Sequence, residues 1–514
     1  MSQNKNIVKS AFAVILISVL SKIIGFFREV LIAQRFGTTY KSDAFFMAQA
    51  LSSVVLVIIL GALGTTFIPV LSGYLQKEDS PKTKKFLNVV YSVTISVTIV
   101  VFLLGVIASP LLVKLIAPSF KGELFNLTVK LTQMLFPLTV FTALVSLNNG
   151  LLQSKANFII PAFVGLPQNI TMIVFLLYFV SIGDIYGLAA TTVIGGVTQV
   201  LIQIPSIKKL GYKFKFEFDR KEEGLREIGV LLVPIVIGNG IQQINTLVDK
   251  SLASGLAEGS ISALNFSNRL NLFILGIFIM AISTVCYPSM AAYYSSGENE
   301  KFRRLILNAL NSVTLIIIPS TIGFIILRYQ ILKVLFERGA FDSRATEMTA
   351  VALLFYSIGL IGFGFRDVLS KAFYSIKDTR TPMINGTIAV VLNIILNIVL
   401  VRYMDIGGLA LATSISAIAS TLLLIGALYK KIGDFGISTM IVNLLKTLIV
   451  SFIMGMIVFY TNIVLVNASV SLYLALPISI TIGTIVYLVM ISVVGIEEVN
   501  QLRSVVIDRI RRIL

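Results

Sequence analysis

The sequence contains no histidine and no tryptophan, and its 514 residues include a single cysteine, Cys286. A disulfide within the chain is therefore impossible, and metal sites built from histidine and cysteine are excluded. Catalysis by a Ser-His-Asp or Cys-His arrangement is excluded for the same reason. The chain also has no G-x-x-x-x-G-K-[ST] loop, so nothing in it indicates ATP hydrolysis.

Charged residues are scarce, at 13% of the chain, whereas a soluble domain carries about 25%. Hydrophobic residues make up 56%, and the mean hydropathy is +0.92. Because the apolar residues form long runs, the sequence predicts an all-α polytopic membrane protein. The alternating ten-residue segments typical of a transmembrane β-barrel are not found.

The apolar runs divide into about fourteen predicted spans. Several exceed the roughly 20 residues that cross a bilayer, so we expect tilts, kinks or extensions beyond the membrane. The spans lie near residues 9–34, 43–75, 86–113, 124–153, 159–181, 186–208, 227–250, 261–295, 303–328, 347–375, 382–403, 407–430, 439–462 and 469–495.

The formal net charge of +17 raises the question of nucleic acid binding. In a membrane protein, however, Lys and Arg collect in the cytoplasmic loops, and the loops on one side of this chain are the more basic. This bias predicts a protein of the cell membrane with both termini on the cytoplasmic side. It also predicts that the protein binds no nucleic acid. The loop 328–346 is basic yet falls on the outer side, so we expect it to form a short interfacial helix.

The two halves of the sequence resemble each other. At an offset of 221 residues, Asp184-Ile185-Tyr186-Gly187-Leu188-Ala189 aligns with Asp405-Ile406-Gly407-Gly408-Leu409-Ala410. Further matches occur at offsets of 221 and 219, namely Pro161 with Pro382, Gly165 with Gly386, Pro69 with Pro288 and Tyr74 with Tyr293. A run of matches at a nearly constant offset predicts an internal duplication.

The duplication predicts two six-helix lobes related by a pseudo-two-fold axis along the membrane normal, with a substrate site between them. The N-terminal lobe covers residues 1–210, a polar cytoplasmic linker covers 211–226, and the C-terminal lobe covers 227–431. Residues 432–514 hold two further helices and a cytoplasmic tail, which lie outside the repeat.

Three charges interrupt the first apolar run, SVLSKIIGFFREVLIAQRFG, and they are Lys22, Arg28 and Glu29. A charge at a helix centre costs about 2.5–3.5 kcal/mol, so such residues rarely face lipid. Lys22 and Glu29 are seven residues apart and share a helix face. These groups either line a water-filled cavity, or form ion pairs between helices or extend to the interface.

Arg269, in SALNFSNRLNLF, lies in the second half and is expected to face the same cavity as Lys22 and Arg28. The planar fork of arginine suits phosphate, and lysine supplies a point charge. This set of cations favours a phosphate- or diphosphate-bearing substrate. Glu29 is expected to be a partner of these cations rather than a ligand, because it would repel an anion.

A second group of residues has oxygen atoms suited to a cation. Asn393 and Asn397 lie one turn apart in VVLNIILNIVL and share a helix face with both amides. Together with Asp249 and Thr413 they would form an all-oxygen cation site if their helices converge. The alternative is that the asparagines hydrogen-bond between packed helices.

Three stretches of the sequence resemble the MurJ (MviN) lipid II flippases, and the resemblance covers essentially the whole chain. They are SKIIGFFREVLIAQRFGTTYKSDAFF, LFERGAFDSRATEMTAVALLFYSIGLIGF and KAFYSIKDTRTPM. The resemblance implies a MOP-type exporter fold with two six-helix lobes. It also implies that spans thirteen and fourteen form a groove for the undecaprenyl tail of the substrate.

The resemblance also implies which residues bind substrate. Arg269 matches the essential arginine of the eighth span, and the first-region motif matches at Ser21, Lys22, Gly25, Arg28, Glu29 and Asp43. Relatives usually have arginine at Lys22 and aspartate at Glu29, and both changes keep the charge. Many relatives carry paired arginines in the second span, whereas SSVVLVIILGALGTTFIP has none.

Some relatives bind sodium in the second lobe, and the matching positions here are Asp249, Asn393, Asn397, Thr413 and the Leu409 carbonyl. Asn397 replaces a carboxylate, which would weaken cation binding. We therefore expect no required cofactor, and Na⁺ is the one candidate ion.

The expected function is a flippase, not an enzyme, that moves lipid II from the inner to the outer leaflet for cell wall synthesis by alternating access. Its partners are expected to be lipid II, membrane lipids and cell-wall synthesis proteins, and the chain is expected to act as a monomer. One alternative is a flippase for another lipid-linked oligosaccharide, such as an exopolysaccharide or teichoic-type unit. A drug/cation antiporter of the same superfold is less favoured, because the predicted cavity is basic. An integral-membrane glycosyltransferase or lipid phosphatase would need catalytic clusters that the sequence does not show.

Overall fold

The computed structural model describes residues 2–77, 80–179 and 184–500, and all regular secondary structure within them is helical. The all-α prediction is confirmed. The chain divides into two compact units. The first unit is Met1–Ser262 with Gly339–Phe341, and the second is Ala263–Arg338 with Asp342–Leu514.

The first unit is built from nine helices among its described residues, with α2 packed against α4, α5 and α9. They are α1 (Ser2–Phe36), α2 (Tyr40–Gln76), α3 (Ser80–Ile116), α4 (Gly122–Leu135), α5 (Leu138–Ser154), α6 (Ile159–Phe163), α7 (Gly165–Val174), α8 (Ile185–Lys209) and α9 (Glu223–Ser254).

Two predicted spans of this unit are interrupted. The span predicted at 124–153 breaks between α4 and α5 at Pro137, since proline has no N–H group to continue the helical ladder. The span predicted at 159–181 consists of α6, α7 and a π-helical segment, Phe175–Phe179. By contrast, α8 follows its predicted span closely, and Asp184 caps it by accepting a hydrogen bond from the Gly187 N–H at 2.9 Å.

The polar segment after α8 has no helix until α9 begins at Glu223. This agrees with an extended connection near the predicted linker, 211–226. The helix that follows, α9, packs against α2 and belongs to the first unit. The lobe boundaries proposed from the repeat, with a second lobe that begins at residue 227, stay a prediction.

The second unit contains the remaining described helices and a core between α11, α12, α14 and α15 that includes Phe302, Leu310, Leu369 and Leu424. The helices are α10 (Ser260–Ile274), whose first turn belongs to the first unit, α11 (Met280–Ser295), α12 (Asn299–Leu335), α13 (Ser343–Ile358), α14 (Leu360–Ser375), α15 (Arg380–Ile432), α16 (Ile437–Asn467) and α17 (Leu472–Val493).

The helix α15 has 53 residues, which at 1.5 Å per residue is far longer than a bilayer is thick. Asp405 divides it, because its backbone is non-helical with φ 46° and ψ −126°. The two parts correspond to the spans predicted at 382–403 and 407–430. Gly408 follows the kink and has no room for a side chain, since a Cβ there would lie 2.4 Å from the Leu400 carbonyl oxygen.

The expectation of a short interfacial helix in the loop 328–346 is wrong. The helix α12 continues without a break through Leu335. Its buried face extends with it, because Ile331 and Leu332 are both buried, while the basic Lys333 is exposed. An amphipathic extension of the ninth span therefore explains the positive charge of this loop.

The two helices outside the repeat pack against α12. The helices α16 and α12 approach closely at Gly455, where an added Cβ would lie 2.6 Å from the Ile322 side chain. The hydroxyl of Tyr487 in α17 donates to the Leu315 carbonyl at 2.7 Å. This packing fixes both helices to the second unit. The tail that follows lies partly outside the described residues.

A charged cluster ties the loop before α15 to the end of the same helix. Lys431 donates to the carboxylate of Asp378 and forms an ion pair with it. Burial raises the pKa of Asp378, but hydrogen bonds from Lys431 and Thr381 outweigh burial and lower that pKa to about 2. This loop is therefore held by an ionised carboxylate at neutral pH.

Within the described residues, nine helices are long and apolar enough to cross a membrane, or ten if the bent pair α13 and α14 forms one span. The angle between the members of this pair is 42°. Because the single helix α15 accounts for two of the predicted spans, the difference between the number of apolar helices and the fourteen predicted spans becomes smaller. The exact number of fourteen spans stays a prediction.

Candidate functional site

The guanidinium of Arg28 is held inside the first unit by Asn169 and Glu29, with a weaker contact from Nη1 to the Met172 sulfur at 3.9 Å. Its Nη1 donates to the Asn169 side-chain oxygen at 2.8 Å, and its Nη2 donates to Glu29 Oε1 at 2.5 Å. The buried Nε has no hydrogen-bond partner among the described residues. The guanidinium is therefore oriented by a carboxylate and an amide, and one of its donors, the Nε–H, is left without an acceptor.

Close packing of α1 on α7 places Asn169 beside Arg28. A Cβ added at Gly25 would lie 3.3 Å from the amide nitrogen of Asn169, and one at Gly165 would lie 2.7 Å from the Ser21 hydroxyl. The Asn169 amide also donates to the Ser21 carbonyl at 3.4 Å. Small residues at the contact thus bring a polar side chain of α7 to the charged face of α1.

Lys22, Arg28 and Glu29 of α1 form a set with a net positive charge. Glu29 is only 3% exposed and neutralises part of the Arg28 charge, whereas Lys22 is half-buried. Lys22 and Glu29 share a helix face, and Arg28 lies about 100° around the helix from Glu29. The two cations and one carboxylate of this set suit an anionic group better than a cationic one.

Asp43, at the start of α2, is 5% exposed and its carboxylate is fully engaged. Its Oδ2 accepts from the Gly259 N–H at 2.7 Å, and its Oδ1 accepts from the N–H and the hydroxyl of Ser262 at 2.8 and 2.6 Å. The carboxylate therefore holds the backbone of segment 258–262, which belongs to the first unit. This geometry supports a positioning role, and direct substrate binding by Asp43 stays a prediction.

The turn after α1 packs against two other backbone segments of the first unit. Gly37 has φ +58°, and a Cβ there would lie 2.1 Å from the Ala340 carbonyl oxygen. The Ala340 N–H donates to the Gln34 carbonyl at 2.8 Å. Gly259, with φ +91°, leaves similarly little room beside Thr38. Only glycine fits at Gly37 and Gly259, because both need a left-handed backbone and a close approach.

Arg269 lies in the second unit on α10 and is half-buried. The sequence alone did not single out two asparagines near it. Asn265 lies one turn before Arg269, and its buried amide nitrogen has no hydrogen-bond partner in the part of the chain that the structure describes. The amide nitrogen and oxygen of Asn271 are also buried and have no hydrogen-bond partner among the described residues. The signal was present in SALNFSNRLNLF, where asparagine and serine recur around the arginine.

Four of the five predicted cation ligands meet within the second unit, across the kink of α15. The Asn397 amide donates to the Asn393 side-chain oxygen at 2.9 Å, and the Asn393 amide lies 3.4 Å from the Thr413 hydroxyl. The Thr413 hydroxyl donates to the Leu409 carbonyl at 3.0 Å. Asp249, the fifth residue, belongs to the first unit, and its participation stays a prediction.

Binding of Na⁺ by this chain of neutral groups stays a prediction. The oxygen atoms of Asn393, Thr413 and Leu409 accept hydrogen bonds from amide and hydroxyl donors, and a cation would have to replace those donors. Within the described residues, no group of three or more Asp, Glu, Cys or His side chains is arranged to hold a metal ion. The hydrogen bond between Asn393 and Thr413 joins the two parts of α15, as the alternative of hydrogen bonding between packed helices predicts.

A family profile described as lipid II flippase MurJ matches residues 32–481. The match includes Asp43 and Arg269, and it begins just after Lys22, Arg28 and Glu29. A protein of Buchnera aphidicola subsp. Acyrthosiphon pisum named as a probable lipid II flippase MurJ is 30% identical over 504 residues. These residues cover 96% of this chain and 99% of the relative.

Two solved structures show the same architecture. A lipid II flippase MurJ in an inward closed conformation matches with a TM-score of 0.78 and 28% identity, over 95% of this chain and 98% of the other. An inward-facing multidrug resistance MATE family transporter of the MOP superfamily matches with a TM-score of 0.68 and 15% identity, over 83% of this chain and 98% of the other. The second likeness shows the fold alone.

Proposed function

The chain belongs to the lipid II flippase MurJ family, and we propose that it moves the undecaprenyl-diphosphate-linked peptidoglycan precursor from the inner to the outer leaflet. It is accordingly a multi-pass protein of the inner membrane, whose partners are a lipid-linked substrate and membrane lipids. We place both termini on the cytoplasmic side, in agreement with the distribution of basic loops.

The partly buried guanidinium of Arg28 is the observation that carries this proposal. A diphosphate is strongly hydrated and cannot enter hydrocarbon without groups that replace its water. Arg28 offers an unused, buried Nε–H and is oriented by Glu29 and Asn169. Pre-oriented charged donors of this kind bind phosphate with little ordering cost.

The other predicted residues take distinct roles in this proposal. Lys22 and Arg269 add positive charge for the diphosphate, and Glu29 orients Arg28. Asp43 holds segment 258–262, as its three hydrogen bonds support. Ser21 contributes its carbonyl to the contact with Asn169.

Transport would proceed by alternating access, in which the binding residues open to one leaflet at a time. No bond of the substrate is made or broken, so the protein acts as a transporter and not as an enzyme. The membrane potential or an ion gradient would supply the driving force. We further propose that α16 and α17 guide the undecaprenyl tail and that the chain works as a monomer beside cell-wall synthesis proteins.

Complementation of cells depleted of their own MurJ tests the proposal. We expect the parent chain to restore growth, and Lys22→Ala, Arg28→Ala and Arg269→Ala to fail at equal expression. Arg402→Ala is a matched control, because Arg402 is exposed and lies outside the proposed site. Rescue by all three variants would refute the assignment of the cations to substrate binding.

A flippase for another lipid-linked oligosaccharide is the second candidate, because the second span lacks the paired arginines of many relatives. Failure of the well-expressed parent chain to complement would favour it. A drug/cation antiporter is not favoured, since Glu29 and Asp43, the described carboxylates of α1 and the start of α2, are engaged by protein donors.

Transport that does not change when Na⁺ is replaced by K⁺ would exclude sodium coupling.

A further inference from the structure

The first unit contains a pocket of about 680 Å³ that the proposed transport function does not use. It lies between α3, α5 and α8 and is also lined by the segment that follows α8. Its walls are formed mainly by apolar side chains, among them Ile95, Leu144, Val200 and Ile204. A pocket of this size can enclose much of an acyl chain.

Polar groups at the pocket wall satisfy one another. The Tyr91 hydroxyl donates to the Asn148 side-chain oxygen at 2.7 Å, and the Asn148 amide donates to the Gln203 oxygen at 2.9 Å. The Gln203 amide in turn donates to the Asn149 oxygen at 2.8 Å. Because these groups are paired, the wall presents an apolar surface, which favours a hydrocarbon ligand over a polar one.

Two cations lie where such a ligand would have its head group. Lys208, at the end of α8, and Lys213, in the following segment, both line the pocket and are exposed. Neither side chain forms an ion pair or hydrogen bond with any residue that the structure describes. An apolar pocket bordered by free ammonium groups complements a molecule with an acyl chain and a phosphate.

The segment that follows α8 and lines the pocket is fixed to α3 along its polar side. The Lys215 N–H donates to the Asn88 side-chain oxygen at 3.1 Å. Lys85 pairs with Asp219 at 2.7 Å, and this hydrogen bond lowers the pKa of the Asp219 carboxyl. The segment is therefore held in place without a helix of its own.

The other side of this segment carries a row of exposed phenylalanines. Phe214, Phe216 and Phe218 are 43%, 61% and 60% exposed, and successive rings lie 5.9 and 5.1 Å apart. Ile99, one helical turn after the lining residue Ile95, is exposed and apolar as well. Exposed aromatic rings next to lysines are typical of the membrane interface.

We propose that this pocket binds an anionic phospholipid of the bilayer. One acyl chain would lie against the apolar wall, and the phosphate would bind to Lys208 and Lys213. The row of phenylalanines would lie at the level of the lipid head groups. The site is separate from the residues proposed for the diphosphate of the transported substrate.

Native mass spectrometry of the purified full chain tests the site, with phosphatidylglycerol as the probe and phosphatidylcholine as the neutral reference. We expect Lys208→Gln/Lys213→Gln to weaken phosphatidylglycerol binding by about thirtyfold, since each lysine near a lipid surface contributes measurably to anionic lipid binding. The matched control, Lys209→Gln/Lys215→Gln, loses the same charge on exposed lysines outside the pocket and should change binding less than about twofold.

Val200→Phe provides a second test, because it fills the pocket and keeps both lysines. It should also reduce phosphatidylglycerol binding, with thermal unfolding unchanged from that of the parent. Equal losses in the lysine variant and its control would refute a specific site. Binding of phosphatidylcholine as strong as that of phosphatidylglycerol, or displacement of the latter by equimolar undecaprenyl phosphate, would refute the proposed ligand.

Discussion

Asp43→Asn separates a positioning role of this residue from substrate binding. The change keeps the size and shape of the side chain but replaces one carboxylate oxygen by an NH₂ group. All three partners of the carboxylate are donors, namely the Gly259 N–H, the Ser262 N–H and the Ser262 hydroxyl. In either orientation the new NH₂ group therefore faces a backbone N–H, and at least one hydrogen bond is lost.

The size of the effect follows from these contacts. A hydrogen bond to a charged group contributes about 1.5–3 kcal/mol, and the remaining bonds weaken when the charge is removed. We therefore expect Asp43→Asn to lower the free energy of local opening of segment 258–262 by about 2–4 kcal/mol. Asp43→Ala leaves the two backbone N–H donors without a partner and the Ser262 hydroxyl with Ser42 Oγ alone, and it should cost about 3–6 kcal/mol.

Hydrogen–deuterium exchange read by mass spectrometry measures this opening directly. A loss of about 2–4 kcal/mol raises the exchange rate of the amides at Gly259 and Ser262 by about thirtyfold to several hundredfold. Asp184→Asn is the matched control. Asp184 accepts a single hydrogen bond at a helix N-terminus, where asparagine serves equally well, so exchange should change little.

One result would refute the reasoning. If segment 258–262 exchanges at the parent rate in both Asp43→Asn and Asp43→Ala, the hydrogen bonds do not stabilise it. If the same variants also lose transport, the function of Asp43 lies in contact with the substrate.

Three further predictions concern other parts of the chain. Gly37→Ala should lower the thermal unfolding midpoint, because its Cβ would lie 2.1 Å from the Ala340 carbonyl oxygen, whereas Gly73→Ala, with open space around it, should not; equal midpoints would contradict this. Arg28→Lys should fail to complement despite its charge, because one ammonium cannot reach both partners of the guanidinium; full rescue would show that the fork is not needed. The pKa of Asp378 is lowered from 3.8 to about 2, so its stabilising effect is complete above about pH 4 and is lost as the pH falls towards 2. Asp378→Asn should flatten the pH dependence of unfolding in that range, and an unchanged profile would assign it to other carboxylates.

The helices are the part of the structure that the sequence predicts well. The limits of α8, Ile185–Lys209, differ by one residue at each end from the predicted span 186–208. This agreement has a local cause, since a helix in a bilayer satisfies its own backbone and needs only a sufficient run of apolar residues. The extension of α12 through Leu335 was missed because a basic loop and an amphipathic helical end have similar compositions.

Contacts between residues that are far apart in the sequence cannot be predicted in this way. No local pattern indicates that Asn169 contacts Arg28, because 141 residues separate them and the contact depends on glycines that let α1 and α7 approach. The kink at Asp405 likewise brings Asn393 to Thr413, although an unbroken helix would hold them about 30 Å apart.

The sequence by itself determined that this chain is an all-helical membrane protein and which of its charges are too costly to face lipid, since both follow from transfer energies summed along short stretches. Its motifs also carried the family resemblance. Only the tertiary structure decided what each charge does. Arg28 keeps an unused donor while Asp43 has all its acceptors occupied, and that difference depends on which backbone and side-chain donors packing places beside each of them.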